Sequence, residues 1–516
     1  MKISLTLLTL ALVAGACKSN RETLPVAGYY SEPFRPQVHF TPEKGWMNDP
    51  NGMVYYDGEY HLFYQYYPDS TVWGPMHWGH AVSTDLIHWQ HLPVALYPDS
   101  LGYIFSGSAV MDLNNTSGFG EAGKPAMVAI FTYHDPKVLE LGGNCQSQAI
   151  AYSTDKGRTW TKYTGNPVLP NPGAPDFRDP KVSWNAAVGK WIMVLAVADH
   201  VSFYSSPDLK TWKFESDFGK DAGAHGGVWE CPDLFEIPVA NDTSAKKWVL
   251  IVNINPGGPQ GGSGTQYFVG QFDGHSFRPE DKVTRWLDHG SDNYAGVTWS
   301  NVNDRVLYMG WMSNWAYAQK VPTHPWRSAM TSPRELSLVK SEQGYVVQSI
   351  CVPEIDQIAT LLASRENTDI DTSGTQLEFS GTELAVSVID MTLIRKNADG
   401  VEIRLTNPKG QHLVLGYDAI HGLVYVDRTR AGKSDFDSTF AAVHTMGVPK
   451  LLENFQLQLV FDKSSVELYF NNGLGVMTEM FFPDVDMNSL KISTLSGKAG
   501  LRCNVSSLHP VWNQAK

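Results

Sequence analysis

Cysteine is scarce in this chain, with five residues in 516. Cys145, Cys231, Cys351 and Cys503 lie far apart and show no metal-ligand spacing, so no metal centre is expected. A chain of this length does not need disulfides to hold a core, so these four are expected as free thiols. Positive charge is also short. Lys and Arg number 40 against 53 Asp and Glu, giving a net charge of -13 with no basic run. That argues against a nucleic-acid partner. Long apolar runs are absent beyond the first few residues, and no later segment is long enough to cross a bilayer.

The one apolar stretch is Ile3 to Ala16, preceded by Lys2 and ending in Val13-Ala14-Gly15-Ala16-Cys17. At 14 residues it is too short to span a membrane and suits an export signal. It resembles a bacterial lipoprotein signal, which would make Cys17 the lipidated first residue. Ala14 stands where Leu is usual in such signals, and the plainer alternative is an ordinary secretory signal. The expectation is an exported monomer. It would be lipid-anchored at the outer membrane or cell surface, or periplasmic, with membrane contact only through the anchor. Residues 18–33 read as a tether.

What the chain does have is 45 Gly, 30 Pro, 16 Trp, 22 Tyr and 22 Phe. This suits many short strands joined by turns. A repeat is visible. Ser83-Thr84-Asp85-Leu86-Ile87-His88-Trp89 recurs as Ser153-Thr154-Asp155 running to Trp160, and as Ser205-Ser206-Pro207-Asp208 running to Trp212. A weaker echo runs from Phe272 to Phe277. Each copy reads as a strand, a polar turn with Asp, and a strand opening on a buried aromatic. Units of this size suggest propeller blades, about five in all. The expected architecture is all-β: a five-bladed β-propeller over 34–348, a connector over 349–364 and a C-terminal β-sandwich over 365–516. Ile355, Ile358, Leu361 and Leu362 give the connector a short helical pattern from Pro353 to Ser364. Alternating strands such as Val401-Glu402-Ile403-Arg404-Leu405 carry the sandwich reading.

Three acids stand beside or within two residues of a backbone breaker. Asp49 lies in Trp46-Met47-Asn48-Asp49-Pro50-Asn51-Gly52, Asp179 in Phe177-Arg178-Asp179-Pro180, and Glu230 in Trp229-Glu230-Cys231-Pro232-Asp233. Taken singly, each could be a turn residue or a salt-bridge partner. Brought together by folding, they would supply a nucleophile, a positioning group and a proton donor for glycosidic bond cleavage. The apolar residues around Glu230 suggest burial, which raises a carboxyl pKa as a general acid requires.

Together these motifs resemble those of glycoside hydrolase family 32, the β-fructofuranosidases, and within it the levanase and exo-acting fructan β-fructosidase members. Phe105-Ser106-Gly107-Ser108, Gly310 to Trp315, Pro333-Arg334-Glu335-Leu336 and Asp462 to Glu467 extend the match. The resemblance implies a propeller followed by a sandwich, no cofactor, and a fructan or fructo-oligosaccharide substrate. It implies Asp49 as nucleophile, Glu230 as acid/base and Asp179 as the acid that binds fructose hydroxyls. Asn48, Gln65, Trp73, Ser106, Arg178, Asp292, Tyr294 and Trp315 match the subsite for the terminal fructose. Asp292 and Tyr294 flank Asn293 where relatives often carry an aromatic. The residues leave linkage preference open, and exo against endo attack. They also leave open water against a sugar as acceptor, which would make the chain a fructosyltransferase, and a sugar-binding propeller without catalysis.

Overall fold

The turns of the sequence repeat share one device, an Asp carboxylate that accepts from backbone N–H groups, and in three of them an indole N–H returns to the turn. In a computed structural model, which describes residues 29–512 except 122, 241, 343 and 380–382, Asp85 accepts from the backbone N–H of Ile87 and His88 at 3.0 and 2.8 Å. The indole N–H of Trp89 then donates back to the carbonyl of Leu86 at 3.1 Å. Asp208 repeats this with Lys210 and Thr211, and Trp212 donates to Leu209 at 3.1 Å. Asp155 binds the N–H of Thr159, and Trp160 donates to Gly157 at 3.0 Å. The echo keeps the carboxylate bonds from Asp273 to His275 and Ser276, but closes on Phe277, which has no N–H to return. The three Trp rings are half-buried where full burial was expected, because each indole must reach back to a surface turn.

Each of these turns joins the third and fourth strands of one antiparallel blade. The first blade runs through Gly45–Tyr56, Glu59–Tyr67, His77–Ser83 and Trp89–Leu96. The second spans Tyr103–Asp112 to Thr161–Lys162, the third Phe177–Asn185 to Lys213–Phe218, and the fourth Val228–Val239 to Phe277–Pro279. The fifth holds Tyr294–Thr298, Val306–Met312, Arg334–Ser341 and Gly344–Cys351. The innermost strands of successive blades touch in turn, and that of the fifth touches that of the first. The five-bladed ring is therefore closed. Trp326-Arg327, from the excursion inside the fifth blade, pairs in parallel with Gly45-Trp46 and ties the ends together.

The connector is shorter than its apolar pattern suggested. A short 3-10 helix of two turns, Pro353–Ile358, buries Ile355 and Ile358. From Ala359 the chain is a strand paired with Ala499–Leu508, and Leu361 is left 60% exposed. Pairing with a partner some 140 residues away overrides the local helical period. Two six-stranded sheets follow, packed face to face over Ile403, Leu405, Leu415, Val426, Leu459, Leu468, Ile492 and Leu501. Val401, Ile403 and Leu405 face inward as the alternation requires.

The two domains meet through buried polar groups. His39 at the propeller entry bridges Asp462 and Glu467 of the sandwich, with Nδ1 and Nε2 at 2.8 and 2.9 Å. Arg334 reaches Glu467 and Asp288, and Arg428 reaches Asp292 and Glu479. The segment His289 to Asp292 hydrogen-bonds along the strand Gly475–Met480. The expected signal, Cys17 and the first part of the tether lie outside the described residues.

Candidate active site

Each innermost strand has a slip in its pairing to the second strand at which two residues oppose one; those of the first and fourth blades carry a further slip downstream. Asn48 and Asp49 oppose Gln65, Phe105 and Ser106 oppose Thr132, and Asp179 and Pro180 oppose Leu195. Cys231 and Pro232 oppose Val252, and Ala295 and Gly296 oppose Gly310. A bulge frees a residue from the ladder and re-aims its side chain. Proline cannot donate to the ladder; Pro180 and Pro232 sit in two of the bulges, and Pro50 follows a third directly. Asp179 and Cys231 adopt φ of 63° and 42° there. Asp49 and Asp179 thus sit in bulges directly before a proline, and Glu230 pairs with Asn253 directly before the bulge that holds Pro232.

The bulges line one cavity of about 500 Å³ that includes Asn48, Asp49, Gln65, Trp73, Ser106, Arg178, Asp179, Glu230 and Trp315. Asp49 is a three-fold acceptor: Asn48 Nδ2 donates at 2.9 Å, Ser106 Oγ at 2.6 Å and Cys231 Sγ at 3.4 Å. Trp46 Nε1 donates to Asn48 Oδ1 at 2.7 Å, which fixes the amide so that its N–H faces Asp49. Asn51 Oδ1 accepts from the N–H of Gly107, clamping the first blade to the second. Desolvation, with repulsion from Glu230 next, raises the pKa of Asp49, against the three donors.

Asp179 is buried and accepts from the N–H of Cys231 at 3.0 Å, while its own N–H donates to Thr132 Oγ1 at 3.0 Å. Burial is the main cause that pushes Asp179 up to about 7. Arg178 opposes it, and the charges of Glu230 and Asp49 add to it. Glu230 departs from expectation. Its side chain is 20% exposed and ion-paired: Arg178 Nη2 lies at 2.9 Å from Oε1, and the Tyr294 hydroxyl donates to Oε2. Its environment is a charged partner and a phenol rather than an apolar wall.

Trp46 and Trp315 stack at 5.8 Å, and Trp73 meets Phe105 edge-on at 6.0 Å, giving the cavity two aromatic walls. Gln65 is pinned to the carbonyl of Ile104 at 3.1 Å. Tyr294 reaches the site only through Glu230. Asp292 does not reach it at all. Its carboxylate faces the sandwich and accepts from Arg428 Nη1 at 2.6 Å, Met480 N at 2.8 Å and the Tyr317 hydroxyl. The reason is a change of partner at Asn293: residues 289–292 follow the sandwich strand, and the blade resumes at Tyr294.

The cavity also includes residues not expected from sequence. His134 stacks on Phe105 at 4.3 Å with rings near parallel, and burial followed by the charge of Arg178 lowers its pKa to about 4. Asp176 holds Arg178 from the side away from Glu230. Neither carries a local signal beyond, for Asp176, its two-residue spacing from Arg178. Among the described residues no group of three or more His, Cys, Asp or Glu is placed to hold a metal ion. The four described cysteines are free.

Residues 39–349 match the model of the glycosyl hydrolases family 32 N-terminal domain, and residues 354–510 that of the glycosyl hydrolases family 32 C terminal. A levanase of Bacillus subtilis (strain 168) is 46% identical over 98% of this chain and 74% of its own length. An extracellular exo-inulinase of Aspergillus niger is 39% identical over 94% of this chain and 96% of its own. The solved exo-inulinase of Aspergillus awamori has a TM-score of 0.87 at 37% identity, covering 94% of this chain and 100% of that one. With the family's two domains matched in order across nearly the whole described chain, the protein belongs to glycoside hydrolase family 32.

Proposed function

We propose that the cavity hydrolyses β-fructofuranosides and releases terminal fructose with retained configuration. Asp49 attacks the anomeric carbon while Glu230 protonates the departing oxygen. Glu230 then takes a proton from water, which displaces the carboxylate. Asp179 holds the fructose hydroxyls, through hydrogen bonds that tighten as positive charge develops on the ring. Asn48, Gln65, Ser106, Trp73, Arg178 and Trp315 shape the subsite, and Tyr294 acts through Glu230.

The observation that carries this reading is the place of Cys231. Its N–H binds Asp179, its thiol binds Asp49, and it follows Glu230 directly in the chain. One residue thus holds three carboxylates from three blades around a single space. Asp49 meets only donors, as a carboxylate nucleophile requires. Glu230 is partly open to solvent, as a group that exchanges protons with water requires. Retention calls for nucleophile and acid about 5–5.5 Å apart.

Relatives named levanase and exo-inulinase support a fructan or fructo-oligosaccharide substrate and hydrolysis over transfer. Relatives named extracellular support export, while the lipid anchor at Cys17 rests on the signal-like start of the sequence alone. The domain limits of 34–348 and 365–516 and a monomeric state belong to the same reading. Chromatography of early products from levan and inulin tests the activity. Free fructose alone is expected; a ladder of oligomers means endo attack, and no product from either polymer or from sucrose overturns the proposal. A membrane-bound full chain that Cys17→Ala releases is expected for the anchor, and equal partitioning contradicts it.

A further inference from the structure

His134 ends the second strand of the second blade, and Gln146 opens the third strand directly opposite it. Residues opposed across an antiparallel pair put their side chains on one face of the sheet. Between them the chain makes an excursion from Asp135 to Cys145. The N–H of Asp135 donates to the carbonyl of Cys145 at 2.9 Å, which closes the excursion and holds Cys145 beside the pair. Its Sγ lies 3.5 Å from Nδ1 of His134. All three side chains line the cavity that holds the three acids. Cys145 is also the one described cysteine that is not buried.

The polar groups of this corner are unspent. His134 is 8% exposed, and among the described residues its ring hydrogen-bonds only to the thiol. Gln146 is 7% exposed, and its amide has no partner among them. A nearly buried polar group without a partner calls for an explanation. A thiolate and an imidazole nitrogen are ligands for a borderline-soft divalent cation. Zinc holds sulfur at about 2.3 Å and imidazole nitrogen at about 2.0–2.1 Å, and at a tetrahedral angle those lengths set the two atoms about 3.6 Å apart. The thiol and the imidazole already stand at that spacing. The charges acting on the thiol are the carboxylates of Asp135 and Asp176 and the guanidinium of Arg178, a balance that favours a cation.

We propose that Cys145 and His134 form an inhibitory zinc site in the wall of the cavity, with the Gln146 amide against the ion's water. The cation replaces the thiol proton, which passes to solvent. Two protein ligands leave positions for water, so the ion comes and goes, unlike one held by the four ligands of a structural site. His134 stacks on Phe105, the neighbour of Ser106 that donates to Asp49, so a hydrated cation on this wall takes space from the substrate. What the ion inhibits rests on the fructosidase reading of the cavity; its binding does not.

The test titrates zinc chloride against sucrose hydrolysis by the full chain, Cys145→Ser and His134→Gln, each compared with its own metal-free rate. It also records the absorption of each protein with Co2+. Cys145 is half-buried at the end of a loop, so Cys145→Ser folds even if His134→Gln does not. Zinc should raise KM with kcat kept, and EDTA should reverse the effect. The zinc concentration for half inhibition should rise about tenfold or more in either variant. Cobalt should give a thiolate charge-transfer band in the near ultraviolet with the full chain and none with Cys145→Ser. Inhibition or a cobalt–thiolate band that survives Cys145→Ser puts the ion on another group and overturns the site. So does the lack of either effect in an unaltered chain that hydrolyses sucrose. A chain that binds cobalt through Cys145 but releases no fructose keeps the metal site and overturns the fructosidase reading.

Discussion

Arg428 of the sandwich and Asp292 of the propeller form an ion pair at 2.6 Å in which neither side chain reaches solvent. Asp292 lies two residues before Tyr294, whose hydroxyl donates to Glu230. Arg428 also binds the hydroxyl of Tyr317, two residues after Trp315. Among the described residues the sandwich supplies no group to the cavity, yet it anchors two stretches of chain that end there.

Arg428→Met should therefore leave Asp292 as a buried charge without its cationic partner, while Glu479 keeps His444 at 2.8 Å. Breaking one side of a buried pair costs about 3–5 kcal/mol. Urea unfolding should show that loss, and Arg428→Met with Asp292→Asn should recover part of it. Full additivity of the two substitutions would mean that the pair does not couple.

Domain docking should weaken as pH rises. Burial alone would lower the pKa of His39, but hydrogen bonds from its ring to the carboxylates of Asp462 and Glu467 outweigh it and raise it to about 9. A group raised above its unfolded value of about 6.5 stabilises fully below that value and loses the contribution as pH climbs towards 9. Tm should fall between those limits, and in His39→Gln that part of the slope should disappear. An identical slope in both proteins would remove His39 from the account.

Cys231→Ala should move the acid limb of kcat/KM to higher pH. The thiol donates to Asp49 and opposes the burial that raises its pKa, so its loss makes the carboxylate harder to ionise. Cys231→Ser keeps a donor and should stay near the original profile. Coincident profiles for all three proteins would show that the thiol has no hold on Asp49.

Glu467→Gln should cost stability and spare chemistry. The residue is fully buried against Arg334 and His39, away from the cavity. Turnover of sucrose by the folded variant should remain close to normal while Tm drops. Loss of turnover without unfolding would contradict the division between the domains.

What the sequence made legible was local. Pro50, Pro180 and Pro232 lie in or directly beside bulges of their own strands, so the special backbone around the three acids could be read from neighbours one or two places away. The Ser/Asp turns are likewise self-contained, which is why blades could be counted before folding. Asp292 was misplaced because its partners are Arg428 and Met480, in another domain and more than 130 residues on. Glu230 was expected among apolar groups, but Arg178 and Tyr294 arrive from other blades. The helical pattern after Pro353 gave way beyond Ile358, since the strand Ala499–Leu508 offers residues 359–370 a long antiparallel ladder.

The central claim is that Asp49 and Glu230 carry out a double displacement. NMR of the fructose released from sucrose in the first minute, before mutarotation, tests it most directly. The account expects β-fructofuranose first from the unaltered enzyme, and turnover lowered by orders of magnitude in folded Asp49→Asn. The α-anomer appearing first, or undiminished turnover by folded Asp49→Asn, would contradict it.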